Sequence, residues 1–310
     1  MADLREITTG LRFPEGPIAM DDGSVVLVEI ARGTLSRVDV ETGAIDVVAE
    51  CGGGPNGAAV GPDGAVYITN NGGCFEFVEA AGMLFPGPPP ESYPGHGSIQ
   101  RVDLATGKVD DLYTACDGEL LRAPNDLVFD TAGGMWFTDH GVRHHRSSDR
   151  TGIYYCAPDG SSIREVIFPV DAPNGIGLSP AGDRLYAAET HTGRVWAWTI
   201  AEPGVIQPSG IPIGPGGGDL LCGLPGMQLF DSLAVDGDGW VCVATLVNGG
   251  ITSISPDGAT VEHLATGDPI TTNICFGGPD LRTAYITCSA TGRLVATDWP
   301  RPGLQLAYTA

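Results

Sequence analysis

The sequence predicts an all-β fold, a six-bladed β-propeller of four-stranded antiparallel blades, and three observations support this prediction. A unit of roughly 40 to 50 residues recurs six times along the 310-residue chain. Each unit begins with an oxygen-bearing side chain on an apolar strand, followed by a glycine-containing turn and a second strand. Short apolar segments are separated by 46 Gly and 24 Pro, and no long stretch has helical periodicity. This pattern is typical of propellers, in which each blade buries its faces against its neighbours.

The six units begin at Glu15, Asn56, Asn125, Asn174, Asp231 and Asn273. In the second unit, residues 56–60 form the first strand, residues 62–64 the turn and residues 66–69 the second strand. Because the units run from end to end and leave no place for a boundary, we expect residues 1–310 to form one domain.

Both ends of the chain contain segments typical of outer strands, at residues 4–8 and 304–308. We expect one or both to complete the last blade, because a closed ring leaves no open sheet edge.

Charge and cysteine content exclude several classes of function. A formal net charge of -22 disfavours nucleic acid and anionic membrane surfaces, since both require Lys and Arg to neutralise phosphate. Residues 1–6 lack the features of a secretory signal, and no apolar run could span a bilayer, so a cytoplasmic location is expected. The eight cysteines lack the paired spacing of metal ligands, so we expect free buried thiols.

Strand direction predicts which loops share a face with the unit-starting residues. If each innermost strand enters from one face, here named the upper face, then the loop after the second strand also opens there. Three long insertions, at residues 71–96, 140–151 and 202–230, should lie wholly or partly on this face. The first contains Phe75, Phe77 and several prolines, a composition that favours an apolar lid over the alternative of a mobile surface loop.

The unit-starting residues comprise two carboxylates, Glu15 and Asp231, and four amides. Oxygen-only ligands suit hard divalent cations such as calcium, and two carboxylates balance a doubly charged ion. The alternative is that these side chains only cap turns, although a Glu side chain is one methylene too long for that purpose. We therefore expect one divalent metal cation on the axis, calcium first, with zinc, manganese and iron as further candidates.

Four segments support a family resemblance: residues 13–17, residues 124–126 leading to 136–139, residues 173–177 leading to 185–189, and residues 231–236. In this order, they resemble the signature segments of the senescence marker protein / gluconolactonase / luciferin-regenerating family. The resemblance implies a six-bladed propeller with one divalent metal in its central tunnel. It further implies that Glu15, Asn174 and Asp231 bind the metal, with Asn125 as a fourth ligand or as a partner of the substrate and the metal-bound water.

The resemblance also implies a metal-dependent hydrolase, a lactonase that opens a small lactone with a metal-activated water. In the family's sugar lactonases, an arginine two residues before the blade-three asparagine contacts the substrate. Here Ala123 occupies that position and Arg122 is one step earlier, which favours a less polar lactone or ester over a sugar lactone. The candidate substrate-binding residues are Asn56, Arg122, Asn125 and Asn273. The alternatives are a phosphotriesterase of the diisopropyl fluorophosphatase type and a non-catalytic, metal-stabilised propeller that binds a small molecule.

Asp231 is the candidate general base for such a reaction. A metal with an open position can polarise a carbonyl and lower the pKa of a bound water, and a nearby carboxylate can take the proton. Alternatively, Asp231 is a ligand only, since coordination would depress its own pKa.

Two further groups of polar residues each have two alternative roles. Asp126 would either orient Asn125 or have its carboxylate satisfied by backbone amides. His140, His144 and His145 would either supply an acid or base, or form an exposed polar loop.

Overall fold

The computed structural model describes residues 3–210 and 214–309 and confirms the all-β, six-bladed propeller. The innermost strands of neighbouring blades contact one another around the axis. Within the described ranges the only helix is a 3-10 turn at Pro215–Gly217. No helix in these ranges is long and apolar enough to cross a membrane.

The first three blades follow the predicted units, and their strands are given from the axis outward. Blade 1 contains Pro14–Ala19, Val25–Glu29, Thr34–Val38 and Ile45–Glu50. Blade 2 contains Pro55–Val60, Val66–Asn70, Ser98–Val102 and Val109–Tyr113. Blade 3 contains Pro124–Phe129, Met135–Asp139, Thr151–Cys156 and Ile163–Val170. Two small hairpins lie outside these sheets, Phe77–Ala80 with Met83–Pro86 and Ala115–Cys116 with Glu119–Leu120.

The last three blades repeat the plan with two variations. Blade 4 contains Pro173–Leu178, Arg184–Glu189, Arg194–Glu202 and an outer edge divided between Val205–Gln207 and Asp219–Gly223. Blade 5 contains Leu229–Val235, Val241–Leu246, Gly250–Ile254 and Val261–Ala265. Blade 6 contains Thr271–Gly277, Thr283–Cys288, Arg293–Asp298 and, as its outermost strand, Arg5–Thr9 from the N-terminal end.

The core lies between facing blades. Trp136 and Trp198 are fully buried between blades 3 and 4, together with aliphatic side chains of both sheets. The second strands of the first three blades, such as Val25–Glu29, are buried along their whole length. This explains why they appear in the sequence as continuous apolar runs rather than as alternating patterns. All eight cysteines are free, as expected, and all but Cys275 are buried.

The two chain ends behave differently. Arg5–Thr9 pairs antiparallel with Arg293–Asp298, as predicted, and closes the ring. The prediction of an outer strand at residues 304–308 is wrong, because these residues form no strand. Both edges of Arg293–Asp298 are already paired, so the tail cannot pair with that strand. The tail instead crosses the lower face, where Gly303 N donates to Leu281 O at 2.7 Å and Tyr308 packs edge-on against Phe129.

The insertion at residues 202–230 lies only partly on the upper face. Arg164, at the lower end of blade 3, donates to Pro203 O at 2.8 Å. The indole of Trp198 donates to Pro215 O at 2.8 Å, so this part of the insertion covers the outer side of blade 4. Only the link that follows Asp219–Gly223 returns to the upper face, because that strand pairs along Arg194–Glu202.

Candidate functional site

The six unit-starting residues are buried near the upper ends of the innermost strands, with relative exposures between 1% and 8%. Strand pairing becomes irregular at or immediately beside each of them, for example between Glu15 and Ile18 and between Phe230 and Leu233. Such irregularities re-aim side chains that would otherwise follow the strict alternation of a strand. The bulged first strands therefore explain how six polar side chains lie inside an apolar fold.

Hydroxyl groups on the second strands, or directly after them, fix the backbone of this ring. Thr69 Oγ1 donates to Asn125 O at 2.6 Å, and Thr138 Oγ1 donates to Asn174 O at 2.6 Å. Ser289 Oγ donates in the same way to Pro14 O at 2.5 Å. Each bond joins one blade to the innermost strand of the next, so ring positions are set by contacts between blades.

Glu15 and Asp231 are the two carboxylates of the ring. Glu15 Oε2 accepts hydrogen bonds from Gly16 N at 2.6 Å and from Asn273 Nδ2 at 2.7 Å, whereas Glu15 Oε1 is buried without a partner. Burial raises the pKa of Glu15, and the nearby charge of Asp231 raises it further. Burial also raises the pKa of Asp231, with a smaller contribution from Asp126. Two buried, mutually repelling carboxylates are an arrangement that a cation would stabilise.

The amides of Asn125 and Asn174 present further oxygens. Asn125 Oδ1 is buried without a hydrogen-bond partner. Asn174 Nδ2 donates to Thr190 Oγ1 at 3.1 Å, which orients the amide, and Asn174 Oδ1 accepts from Ser232 Oγ at 3.4 Å. Unpartnered carboxylate and amide oxygens fit a hard divalent cation, which binds through oxygen.

Across the described part of the chain, no three His, Cys, Asp or Glu side chains form a group that could hold a metal. The candidate ligand set contains only two residues of those types, Glu15 and Asp231, and its other members are amides. Any metal at this ring would therefore depend on Asn125 and Asn174 as well.

The carboxylate of Asp126 accepts hydrogen bonds from backbone amides, which was the alternative to a role in orienting Asn125. Its Oδ1 accepts from Leu127 N at 2.9 Å, and its Oδ2 accepts from Ile176 N of blade 4 at 3.4 Å. Burial nevertheless raises the pKa of Asp126 to about 7. Asp126 thus links blades 3 and 4 below the ring.

Asn56 and Asn273 hold other ring members in place. Asn56 Nδ2 donates to Asn125 O at 3.2 Å, and its Oδ1 accepts from Asn71 Nδ2 at 3.1 Å. Asn273 Nδ2 donates to Glu15, and its Oδ1 accepts from Ile274 N at 2.7 Å. Asn71 was not among the sequence candidates, although it directly follows the second strand of its blade.

Arg122 lies beside the first insertion. Its Nη1 donates to Gly95 O at 3.1 Å, and its backbone N donates to Asp139 Oδ2 at 2.6 Å. Tyr93 Oη donates to Arg122 O at 2.6 Å. These bonds give Arg122 a definite role at the base of the insertion, while its contact with a substrate stays a prediction.

The first insertion forms a hairpin and covers part of the upper face. Its hairpin, Phe77–Ala80 with Met83–Pro86, extends from blade 2 across blade 1 to blade 6, where Leu84 N donates to Ala290 O at 2.8 Å. The ring of Phe77 lies 4.9 Å from that of Phe13, which precedes Glu15 by two residues. The hairpin therefore contacts the segment that positions a candidate ligand.

Two histidines from neighbouring blades meet on the upper face. The rings of His140 and His191 are 5.6 Å apart, and His191 Nε2 is buried without a partner. Burial lowers the pKa of His140 and lowers that of His191 to about 4, so both are neutral at pH 7. Of the histidines on the second insertion, His144 and His145 are exposed, whereas His140 is half-buried. His191 was missed by the sequence analysis, although both histidines closely follow the acidic residue that ends a second strand.

Comparison with known proteins finds relatives whose sequences align with most of the chain. A family model described as "SMP-30/Gluconolactonase/LRE-like region" matches residues 13–290. A gluconolactonase from Zymomonas mobilis is 23% identical over 319 residues, covering 92% of this chain and 79% of the relative. The lactonase drp35 of Staphylococcus haemolyticus is 24% identical over 251 residues, covering 81% of this chain and 68% of the relative.

Solved structures share the fold. A gluconolactonase from Xanthomonas campestris superposes with a TM-score of 0.74 at 21% identity, covering 96% of this chain and 90% of the other. The calcium-binding protein regucalcin from Agrobacterium tumefaciens gives a TM-score of 0.73 at 17% identity, covering 98% of each chain. Since the family model matches most of its length, this chain belongs to the SMP-30/gluconolactonase/LRE-like family.

Proposed function

We propose that this protein is a metal-dependent hydrolase that opens a small lactone. The observation that carries the proposal is the ring of buried oxygens, in which Glu15 Oε1 and Asn125 Oδ1 have no partner. The relatives named gluconolactonase and lactonase support a lactone as the substrate class.

Glu15, Asn174 and Asp231 would hold the divalent cation, with Asn125 as a fourth ligand or as a partner of the substrate. An oxygen-only ligand set favours calcium, with zinc, manganese and iron as alternatives. When bound, such a cation polarises a carbonyl and lowers the pKa of a nearby water.

Asp231 is the proposed acceptor of the proton from the attacking water. The water oxygen bonds to the lactone carbonyl carbon, and the bond between that carbon and the ring oxygen breaks. The ring oxygen takes the proton that Asp231 accepted and becomes a hydroxyl group of the same molecule, so the product is a hydroxy acid. Asn56, Arg122, Asn125 and Asn273 are the proposed substrate-binding residues.

The hairpin over the upper face favours a substrate with apolar surface. Phe13 and Phe77 would supply an apolar wall beside Glu15, and Ala123 stands where the family's sugar lactonases have an arginine. We therefore propose a lactone less polar than a sugar lactone.

The experiment is a hydrolysis screen with metal-stripped protein to which calcium, zinc, manganese or iron is added singly. We expect hydrolysis of lactones, restored by at least one metal and lost in Asp231→Asn. The matched control is Asp257→Asn on a lower turn, where the carboxylate accepts only local hydrogen bonds. Hydrolysis of phosphotriesters but no lactone would overturn the proposed substrate class. Absence of turnover of any lactone, aryl ester or phosphotriester with any of the metals would overturn the hydrolase.

A further inference from the structure

The pair formed by His140 and His191 has no role in the proposed reaction. His140 directly follows the second strand of blade 3, and His191 lies in the turn after the second strand of blade 4. Their ring centres are 5.6 Å apart, with an angle of 67° between the ring planes. Two imidazoles on one zinc ion, with zinc–nitrogen distances of about 2.0 to 2.1 Å and a tetrahedral angle, have ring centres about 5 Å apart. The observed separation therefore suits a pair of ligands to one metal ion.

The surroundings of His140 leave one of its ring nitrogens available to a metal. Its Nδ1 lies 2.9 Å from Gly141 O, and because a carbonyl oxygen only accepts, Nδ1 is the donor of this pair. His140 Nε2 therefore carries the lone pair. Histidine ligands commonly donate their other ring N–H to a backbone carbonyl, which fixes the tautomer and the orientation of the ring. The backbone is held as well, since His140 N donates to Ala123 O at 3.0 Å.

His191 supplies the second nitrogen. Its Nε2 is buried and has no hydrogen-bond partner in residues 3–210 and 214–309, and a buried polar atom without a partner costs free energy of folding. In the tautomer protonated at Nδ1, this Nε2 is an acceptor that can bind a metal. The turn is fixed on both sides of the histidine. Thr190 N donates to Ala172 O at 3.2 Å, and Thr192 Oγ1 donates to Glu189 Oε2 at 2.6 Å.

Two exposed charges act on the pair in opposite directions. Burial lowers the pKa of both histidines and keeps them neutral at pH 7, the form that binds metals. To a smaller extent, Arg143 lowers both pKa values and Asp171 raises them. Arg143 Nη2 lies 4.0 Å from Asp171 Oδ1. The carboxylate of Asp171 would thus favour a cation at the pair, whereas Arg143 would oppose it.

We propose that His140 and His191 form a metal site that binds one late first-row divalent cation, zinc first, and joins the upper ends of blades 3 and 4. Imidazole nitrogens suit zinc, copper and nickel, whereas calcium takes oxygen ligands. Water fills the remaining positions, since no group of three His, Cys, Asp or Glu that could hold a metal occurs in the described part of the chain. The site shares no ligand with the axial ring and goes beyond the proposed function.

The first experiment is a calorimetric titration of metal-stripped protein with zinc in the presence of excess calcium, which competes for the oxygen ligands of the ring. We expect one zinc ion per chain. His140→Phe and His191→Phe, which keep an aromatic ring but remove its nitrogens, should each weaken zinc binding by about tenfold or more. The matched control is His145→Phe, an exposed histidine of the same insertion, which should bind zinc like the parent. Glu15→Gln should also retain zinc binding.

Unchanged zinc affinity in either His140→Phe or His191→Phe would overturn the site. Loss of zinc in Glu15→Gln, with retention in both histidine variants, would place the zinc on the axial ring and overturn it as well. Neither measurement involves turnover, so the site and the proposed hydrolase can fail separately.

The second experiment tests the ligands directly, by electron paramagnetic resonance of the protein with one equivalent of copper(II). We expect hyperfine coupling to two imidazole nitrogens in the parent and to fewer in His191→Phe. A parent spectrum without coupling to two nitrogens would overturn the pair as ligands.

Arg143→Gln gives a test that does not depend on the histidine variants folding, because this side chain is exposed. Removal of the opposing charge should tighten zinc binding by several-fold, whereas the exposed Arg146→Gln should change it less. Zinc binding that is unchanged or weaker in Arg143→Gln would overturn the site.

Discussion

At the scale of single residues, the two ring carboxylates have different surroundings. Two donors bind Glu15 Oε2 and orient the side chain, so that Glu15 Oε1 remains an acceptor without a partner. Asp231 is repelled by the buried Asp126 and shares the ring with the amide of Asn174. In the proposed mechanism, Glu15 holds the cation and Asp231 accepts the proton, and these roles stay predictions.

Substitution separates these two roles. Glu15→Gln and Asp231→Asn should each lower kcat for lactone hydrolysis strongly, because each removes a charge from the cation site. At saturating metal, Glu15→Gln should recover much of its activity, while Asp231→Asn should remain about 10² to 10⁴-fold slow, the usual contribution of a general base. The measurement is kcat as a function of added metal for both variants. Full recovery of Asp231→Asn at high metal would leave Asp231 as a ligand only.

Asp139 lies beside the ring residue Asn125 and offers a pH-dependent test of burial. Its carboxylate is buried and accepts from the backbone N of Arg122, Ala123 and Gly141, yet burial raises its pKa to about 6. A raised pKa means that the protonated form is favoured by folding, so its contribution to the free energy of unfolding is complete below about pH 4 and is lost as pH rises through about 6.

The free energy of unfolding of the parent, relative to that of Asp139→Asn, should therefore decrease between about pH 4 and pH 6. The expected decrease is a few kcal/mol, because a shift of one pKa unit corresponds to about 1.4 kcal/mol. Urea unfolding at several pH values measures this difference, with the exposed Asp46→Asn as the control that should show little change. A difference that grows over this range would contradict the expected direction.

At the scale of elements, the innermost strands approach one another too closely for side chains at certain positions. A Cβ added to Gly57 would lie 2.7 Å from Asn125 O and 2.8 Å from Thr69 Oγ1. These are the two atoms whose hydrogen bond joins blade 2 to blade 3. Only glycine fits at this position, because the neighbouring strands leave no space for a Cβ atom.

Gly57→Ala should destabilise the protein by about 1 to 3 kcal/mol, the usual effect of overpacking. It should also weaken calcium binding, because Asn125 must move. The matched control is Gly210→Ala, where an added Cβ would have open space. Urea unfolding and calcium titration measure the two effects, and a Gly57→Ala protein as stable as the control would contradict the steric argument.

At the scale of the whole molecule, the ring is closed by its N-terminal strand and covered below by its C-terminal tail. Arg5–Thr9 pairs with Arg293–Asp298, and Ile7 is buried against blades 1 and 6. Residues near the other end bind the lower face, where Arg301 lies 4.1 Å above the ring of Trp240 and 2.6 Å from Asp236.

Removal of residues 1–9 should lower the urea midpoint more than ending the chain at Gly303, because it opens a sheet edge as well as removing buried surface. It should also promote aggregation, which light scattering would detect. A shorter chain that begins at Gly10 and remains as stable and monodisperse as the one ending at Gly303 would show that the strand is not needed for closure.

The sequence by itself determined the blades and the members of the ring. Short apolar strands, glycine turns and a repeated starting residue are local patterns, so they identified six units and selected Glu15, Asn125, Asn174 and Asp231 as candidate site residues. The roles of these residues as metal ligands, and of Asp231 as a base, stay predictions.

Tertiary structure alone decided features that depend on contacts between distant residues. The path of residues 304–308, the meeting of His140 with His191 and the contact of Phe77 with Phe13 each join segments from different blades. A strand pattern does not encode which segment pairs with a given edge, and here Arg5–Thr9 takes the edge of Arg293–Asp298. Local sequence specifies which residues a strand can bury, whereas the closed ring specifies which neighbours those residues meet.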